Sequence, residues 1–190
     1  ADPPQRVVRA GLVCLESSAS NAPPVLSVFW QRLRELGWVE GENLLIEARW
    51  AAGRTDRLPA LMAELIKVKV DVIVSGGELV ATAAKNATST IPIVGIALSD
   101  PVRSGLVASL ARPGGNLTGM SMGYGEGFSG RWLALLQEAV PRVSTIAIIL
   151  NPNLVARDRV KSVEAIAPKL HLKVQIIEVR EAEALDGAFE

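Results

Sequence analysis

The amino-acid sequence predicts an α/β protein built from Rossmann-like, doubly wound parallel sheets. Three observations carry this expectation. Short β-branched runs alternate with segments whose apolar residues recur at the helical period. Most of the strand-like runs are apolar throughout, as strands buried on both faces must be. Glycine, proline and small polar residues punctuate each change of element.

Residues 7–15 form the first run, apolar and rich in valine. Pro23-Pro24 opens a helical segment in which Val25, Leu26, Phe29, Leu33 and Leu36 share a face, and Gly37 stops it. Residues 44–49 alternate and read as a strand. Thr55 or Asp56 is placed to cap a helix that carries Leu58, Leu61, Met62, Leu65 and Ile66. Residues 71–75 are a β-branched strand ending at Gly76-Gly77, and a helix follows over 78–87. Residues 91–97 read as another buried strand and 102–110 as a short helix. Four such βα units make a compact doubly wound domain.

The composition then shifts. Gly119, Gly123, Gly125, Gly127 and Gly130 cluster, and no glycine occurs between Arg131 and Asp186. The cluster reads as a hinge. After it come a helix over 129–139, a strand over 145–150, a helix over 155–167, a strand over 173–179 and the start of a helix at 181. Two strands are too few to bury a core of their own. The 190 residues therefore divide into a first lobe at 1–122, a hinge at 123–127 and the first half of a second lobe at 128–190.

Charge and composition restrict the function. Twenty basic and twenty acidic side chains leave a formal charge of zero, and both halves are individually balanced. A nucleic-acid partner is not expected, because neutralising phosphates requires a lysine and arginine excess. The longest apolar runs are too short to span a bilayer. One cysteine, Cys14, and one histidine, His171, make neither a disulfide nor a zinc site. Cys14 sits among Gly11, Leu12, Val13 and Leu15 and reads as a buried strand thiol. Trp30, Trp38, Trp50 and Trp132 are expected in the core, and His171 at the surface. No G-x-G-x-x-G follows the first strand and no P-loop occurs, so no cofactor is expected, and no residue is singled out as catalytic.

In an open parallel sheet, ligands gather beyond the carboxyl ends of the strands, where helix N-termini present backbone N–H groups. Five loops meet that condition: residues 16–21, 75–79, 99–101, 123–127 and 151–153. Ser17, Ser18 and Asn21 offer hydroxyls and an amide, or simply cap the next helix. Gly76 and Gly77 permit close approach to an anion such as a carboxylate, or make a tight turn. Glu78 suits the helix dipole; facing a cleft, it would repel a carboxylate and attract an amine. Asp100, beside Ser99, could hold a ligand cation or form an Asp-Pro turn. Tyr124 could cover a ligand from the hinge or pack within it. Asn151 belongs to the fifth loop.

Several stretches together resemble a known family. They are LRELGWVEGENL at 33–44, GRTDRLPAL at 53–61, ATSTIPIV at 87–94 and, most specifically, SDPVRSGLVASLARPGGNLTG at 99–119. They are similar to the ABC-transporter substrate-binding protein family that includes tryptophan- and tyrosine-type uptake proteins, and the likeness runs from about Arg6 onward. The resemblance implies a type I periplasmic-binding-protein fold, with a ligand closed between two lobes and roughly the last third of the family's length absent. It implies an amino-acid head group held by Ser17, Ser18, Gly76, Gly77, Ser99 and Asp100, with Tyr124 and Asn151 facing it. Relatives commonly carry Thr or Ser where this chain has Glu78, a departure that bears on the ligand's carboxylate.

The expected function is thus an extracytoplasmic solute-binding protein of an ABC importer that binds a small polar or aromatic molecule. It would be periplasmic, or extracellular at the membrane, with its signal peptide removed. Ala1-Asp2-Pro3-Pro4 reads as a mature start or a cloning scar. The partners would be the ligand, a membrane permease and, through exposed second-lobe strands, a second copy in a homodimer. A sensor domain on the same fold is an alternative. A Rossmann-like enzyme using Asp100 or Glu78 as acid or base is another. A DNA-binding regulator would carry a helix-turn-helix ahead of the first strand, where this chain has only six residues.

Overall fold

The computed structural model describes residues 7–21, 24–123, 127–153, 157–180 and 184–189. The chain forms two compact units, Ala1–Gly123 and Tyr124–Glu190.

In the first unit the order is β1 (Val8–Cys14), α1 (Pro24–Glu35), β2 (Leu44–Trp50), α2 (Leu58–Lys67), β3 (Val72–Gly76), α3 (Glu78–Ala87), β4 (Ile93–Leu98) and β5 (Leu117–Ser121). The five strands make one parallel sheet in the order β2-β1-β3-β4-β5. That order places the topological switch point between β1 and β3.

The period-2 alternation of the strands explains why both faces are covered. Val13, Ile73, Ile93, Leu98 and Leu117 join α2 and α3 in one core, with Leu61, Met62, Leu65, Val80 and Ala81. The intervening residues Leu12, Cys14, Val74 and Ile96 pack on the opposite face with Leu26 of α1, flanked by Phe29, Trp30 and Trp50. Each fully buried Met62 or Leu65 side chain contributes about 1.5–3 kcal/mol through area removed from water.

Three features depart from the sequence expectations. Thr55–Arg57 form a 3₁₀ turn, and Arg57 precedes α2 with no side-chain cap. Asp56 is held instead by Arg54, 2.7 Å away, so neither expected cap serves α2. Residues 102–110 form turns rather than a helix. Gly105, at φ +71°, breaks the turn begun by the bond from Ser104 N–H to the Asp100 carbonyl. Leu106 and Val107 then anchor the loop in the core, while Val102 and Leu110 are exposed. The apolar residues that suggested a helix are therefore loop anchors.

The third departure is β5, a strand absent from the sequence expectations, with Gly119 counted in the hinge cluster. Only Leu117 of this strand is buried. Its first glycine is a packing residue. A Cβ at Gly119 would lie 2.8 Å from both the carbonyl carbon and the nitrogen of Gly95, its partner in β4. Gly130 likewise belongs to a helix.

The second unit contains α4 (Phe128–Ala139), β6 (Thr145–Leu150), α5 (Arg157–Ile166) and β7 (Lys173–Glu178). Its two strands pair in parallel, Thr145 opposite Lys173 through Leu150 opposite Glu178. Leu133, Ile146, Ala167 and Leu172 form a small core. His171 is exposed and ends the Ala167–Leu170 3₁₀ turn at φ +58°. The final described segment is a 3₁₀ turn, Asp186–Phe189, where a helix was expected. Trp132 is 59% exposed, against its expected core position, and meets Phe128 with ring centroids 4.7 Å apart and a tilt of 51°.

Candidate functional site

Because β1, β3 and β4 are neighbours in the sheet, their carboxyl-end loops lie side by side. These loops carry eight of the ten residues expected to bind a ligand.

The β1 strand ends on Cys14, which is fully buried. Burial pushes its thiol up to about 12, and the nearby Glu16 charge adds to the rise, against a backbone hydrogen bond from Gly76. Such a thiol is no nucleophile at neutral pH. Beyond it the chain turns through a 3₁₀ segment, Ala19–Asn21. The polar groups here bond to one another: Ser18 Oγ and Ser20 Oγ are 2.8 Å apart, and Asn21 Nδ2 donates to Ser17 Oγ at 2.8 Å. Ser17 and Asn21 are exposed and Ser18 is half-buried. The loop is fixed laterally by Ala52 N–H donating to the Glu16 carbonyl at 3.0 Å.

The β3 strand ends at Ser75-Gly76-Gly77. Ser75 is fully buried, and its hydroxyl has no hydrogen-bond partner among the described residues. Gly77 takes φ +88°, which only glycine adopts without strain, and so turns the chain directly into α3. Its N–H donates to the Ile96 carbonyl at 2.9 Å, continuing the ladder to β4.

At the end of β4 the register shifts between Gly95 and Leu98, and Ala97 takes φ +58°. This bulge re-aims the strand end, as bulges beside binding sites commonly do. It brings Ser99 and Asp100 over the start of α3. Glu78 Oε2 accepts from Ser99 N–H at 2.8 Å and from Asp100 N–H at 2.9 Å. Asp100 Oδ1 accepts from Arg103 N–H at 3.2 Å, and Oδ2 stands 3.5 Å from Arg103 Nε. The side chain of Asp100 thus closes its own Asp-Pro turn, and Arg103 neutralises it.

Glu78, Ser99 and Asp100 are therefore joined directly, with Gly76 and Gly77 alongside, while Ser17, Ser18 and Asn21 form a second group at the neighbouring loop. Asn151 lies in the second unit, where Nδ2 donates to the Arg180 carbonyl at 3.0 Å and Oδ1 accepts from Asn153 N–H at 2.9 Å. Tyr124 lies outside the described residues. Sequence reading missed Ser75, whose polar side chain closing an apolar strand was the available signal, and Arg103, three residues after Asp100.

The second unit holds a groove of about 660 Å³ with mainly apolar walls, among them Phe128, Trp132, Leu136, Ile146 and Ile148. Among the described residues, none of those expected to bind a ligand lines it. Among the described residues no group of three or more His, Cys, Asp or Glu could hold a metal ion, and no helix is long and apolar enough to cross a membrane.

Comparison with known proteins agrees with this architecture. A tyrosine-binding protein from Clostridioides difficile (strain R20291) is 31% identical over 147 residues, which are 77% of this chain and 42% of that protein. A conserved domain protein from Vibrio cholerae superposes with a TM-score of 0.78 at 25% identity, over 96% of this chain and 61% of its own. A ligand-free, open substrate-binding protein with adhesive properties from Clostridium difficile is 28% identical, with a TM-score of 0.57, over 95% of this chain and 60% of its own. A Streptococcus pneumonia ABC domain in complex with L-Trp shares the fold, with a TM-score of 0.76 at 21% identity. This chain spans less than two thirds of the length of each of these proteins. The shared fold is that of type I periplasmic-binding proteins. The model of one family, ABC transporter substrate binding protein, matches residues 25–190, from α1 through the whole second unit, and the chain belongs to that family.

Proposed function

We propose that this chain is the ligand-binding part of an extracytoplasmic solute-binding protein that delivers a small polar or aromatic molecule, an amino acid or a close relative, to an ABC permease. The family match over residues 25–190 carries this reading. The likeness to a tyrosine-binding protein supports the ligand class. The proposed ligand residues are Ser17, Ser18, Asn21, Gly76, Gly77, Glu78, Ser99 and Asp100, completed by Tyr124 and Asn151. Such a site binds through many preplaced polar groups and exclusion of water, and turns nothing over. Accordingly no residue is assigned a catalytic role, and no cofactor is invoked.

The test is intrinsic tryptophan fluorescence and thermal shift of the full-length protein against amino acids, aromatic amines and aromatic acids. Saturable binding of one chemical class is the expected result. A flat response across the whole panel in both measurements overturns the proposal.

A further inference from the structure

Glu78 opens α3, yet its side chain reaches across to the end of β4. One oxygen, Oε2, takes both the Ser99 and Asp100 N–H groups, at 2.8 and 2.9 Å. Adjacent backbone donors of this kind are what usually hold a carboxylate or other anion at such a strand end. Here the protein's own carboxylate already occupies them. The Gly77 N–H is engaged as well, on the Ile96 carbonyl. The Glu78 charge also lies in the first turn of α3, where it offsets the positive end of the helix dipole.

What remains at this edge is acceptor-rich. No hydrogen bond reaches the second oxygen of Glu78, Oε1, among the described residues. The loops after β1, β3 and β4 carry three carboxylates, Glu16, Glu78 and Asp100, and two guanidiniums, Arg103 and Arg112, of which only Arg103 lies within the first turn beyond β4. Arg103 is already placed on Asp100. A ligand carboxylate brought here would meet like charge, with the donors it needs occupied. An ammonium would meet a free carboxylate oxygen.

We propose that Glu78 determines ligand specificity: it occupies the Ser99 and Asp100 amides and presents Oε1 to a donor, so the ligand lays an ammonium rather than a carboxylate against the ends of β3 and β4. This rests on the solute-binding reading above and names the chemical class that the site takes.

The experiment is isothermal titration of the full-length protein with two matched series. One is tyrosine, tyramine and 3-(4-hydroxyphenyl)propionate; the other is tryptophan, tryptamine and 3-indolepropionate. Each series shares a ring and varies only the charged groups. The wild-type protein is expected to bind the amines about 10-fold or more tighter than the acids, the ratio carried by one charge-assisted hydrogen bond. E78Q keeps an oxygen for the two amides but removes the charge, and the amine-to-acid ratio should fall about 10-fold. Glu78→Thr frees the amides, and the acids should gain. Circular dichroism melting of each variant separates this from loss of fold, and E78Q keeps the question answerable if Glu78→Thr unfolds. Acids binding as well as amines to the wild type, or a ratio unmoved in E78Q, overturns this inference alone. No binding of any of the six compounds by folded wild-type protein overturns this inference, and a flat response to the wider panel above overturns the solute-binding reading with it.

Discussion

Cys14 and Gly76 pack together where β1 and β3 end: a Cβ added at position 76 would stand 2.9 Å from the Cys14 Sγ. The close approach joins a buried thiol to the strand that leads into the Gly-Gly turn. Gly76→Ala is therefore expected to destabilise the first unit by about 1–3 kcal/mol, as overpacking does. Pairing it with Cys14→Ala should recover part of the loss, because the clash is with the sulfur. Urea unfolding of the single and double variants checks this; full additivity would contradict it.

The same thiol ties stability to alkaline pH. Burial holds Cys14 at about 12 in the folded chain, above its ordinary 9.0. The folded state therefore keeps its proton longer than the unfolded state does. This contribution is fully present below about pH 9 and is lost as pH rises toward 12. Cys14→Ala is expected to flatten that part of the stability curve, as measured by denaturant midpoints from pH 8 to 11. In the native protein at pH 8 the thiol should stay silent to a disulfide reagent and react on unfolding.

Gly119 and Gly123 provide a contrast within one segment. A Cβ at Gly119 collides with the Gly95 backbone, which cannot rotate aside, while at Gly123 it meets nothing within 4 Å among the described residues. Gly119→Ala should cost more than about 3 kcal/mol, or prevent folding. Gly123→Ala should cost only the strain of its φ of +70°, about 1 kcal/mol. Thermal melting of the two variants distinguishes them.

Lys85 staples the 101–110 loop to α3, with Nζ donating to the carbonyls of Gly105 and Leu106, both at 2.7 Å. Lys85→Met keeps the apolar stem and removes the donors, so about 1–3 kcal/mol of local stability should be lost. Hydrogen exchange should quicken at Ser104, Gly105 and Val107, whose amides hold the turn, and leave β3 protected.

Ser75 reports on burial without satisfaction. Its hydroxyl is fully buried and unpaired among the described residues, a situation that costs about 1–3 kcal/mol. Ser75→Ala is accordingly expected to leave stability unchanged or raise it, read from the unfolding midpoint. A marked loss would show that the hydroxyl has a partner in solution.

The legibility of the fold follows burial. The strands of the first sheet's interior were visible because both faces are covered, so their sequences are apolar without interruption. The residues of α3 and β6 were read at their observed bounds because each is bracketed by punctuation, Gly76-Gly77 before one and Pro141 before the other. β5 was not read, because Leu117 is its single buried residue and its pairing with β4 is made by Gly95 and Gly119 approaching across the sheet. The 102–110 stretch misled for a related reason: Leu106 and Val107 are apolar to anchor a loop, and nothing local distinguishes an anchor from a helix face.

The sequence by itself determined the α/β alternation, the doubly wound class and the family resemblance, because these rest on local periodicity and contiguous motifs. Only the tertiary structure decided what the candidate residues do. Glu78 reads locally as a first-turn acid, yet its carboxylate bonds Ser99 and Asp100, more than twenty residues onward. Asp100 reads as either a ligand contact or an Asp-Pro turn, and the structure shows its carboxylate closing that turn with Arg103. A side chain's partner is set by which strand ends the sheet order brings side by side, and that order is a property of the packed sheet rather than of any one stretch of chain.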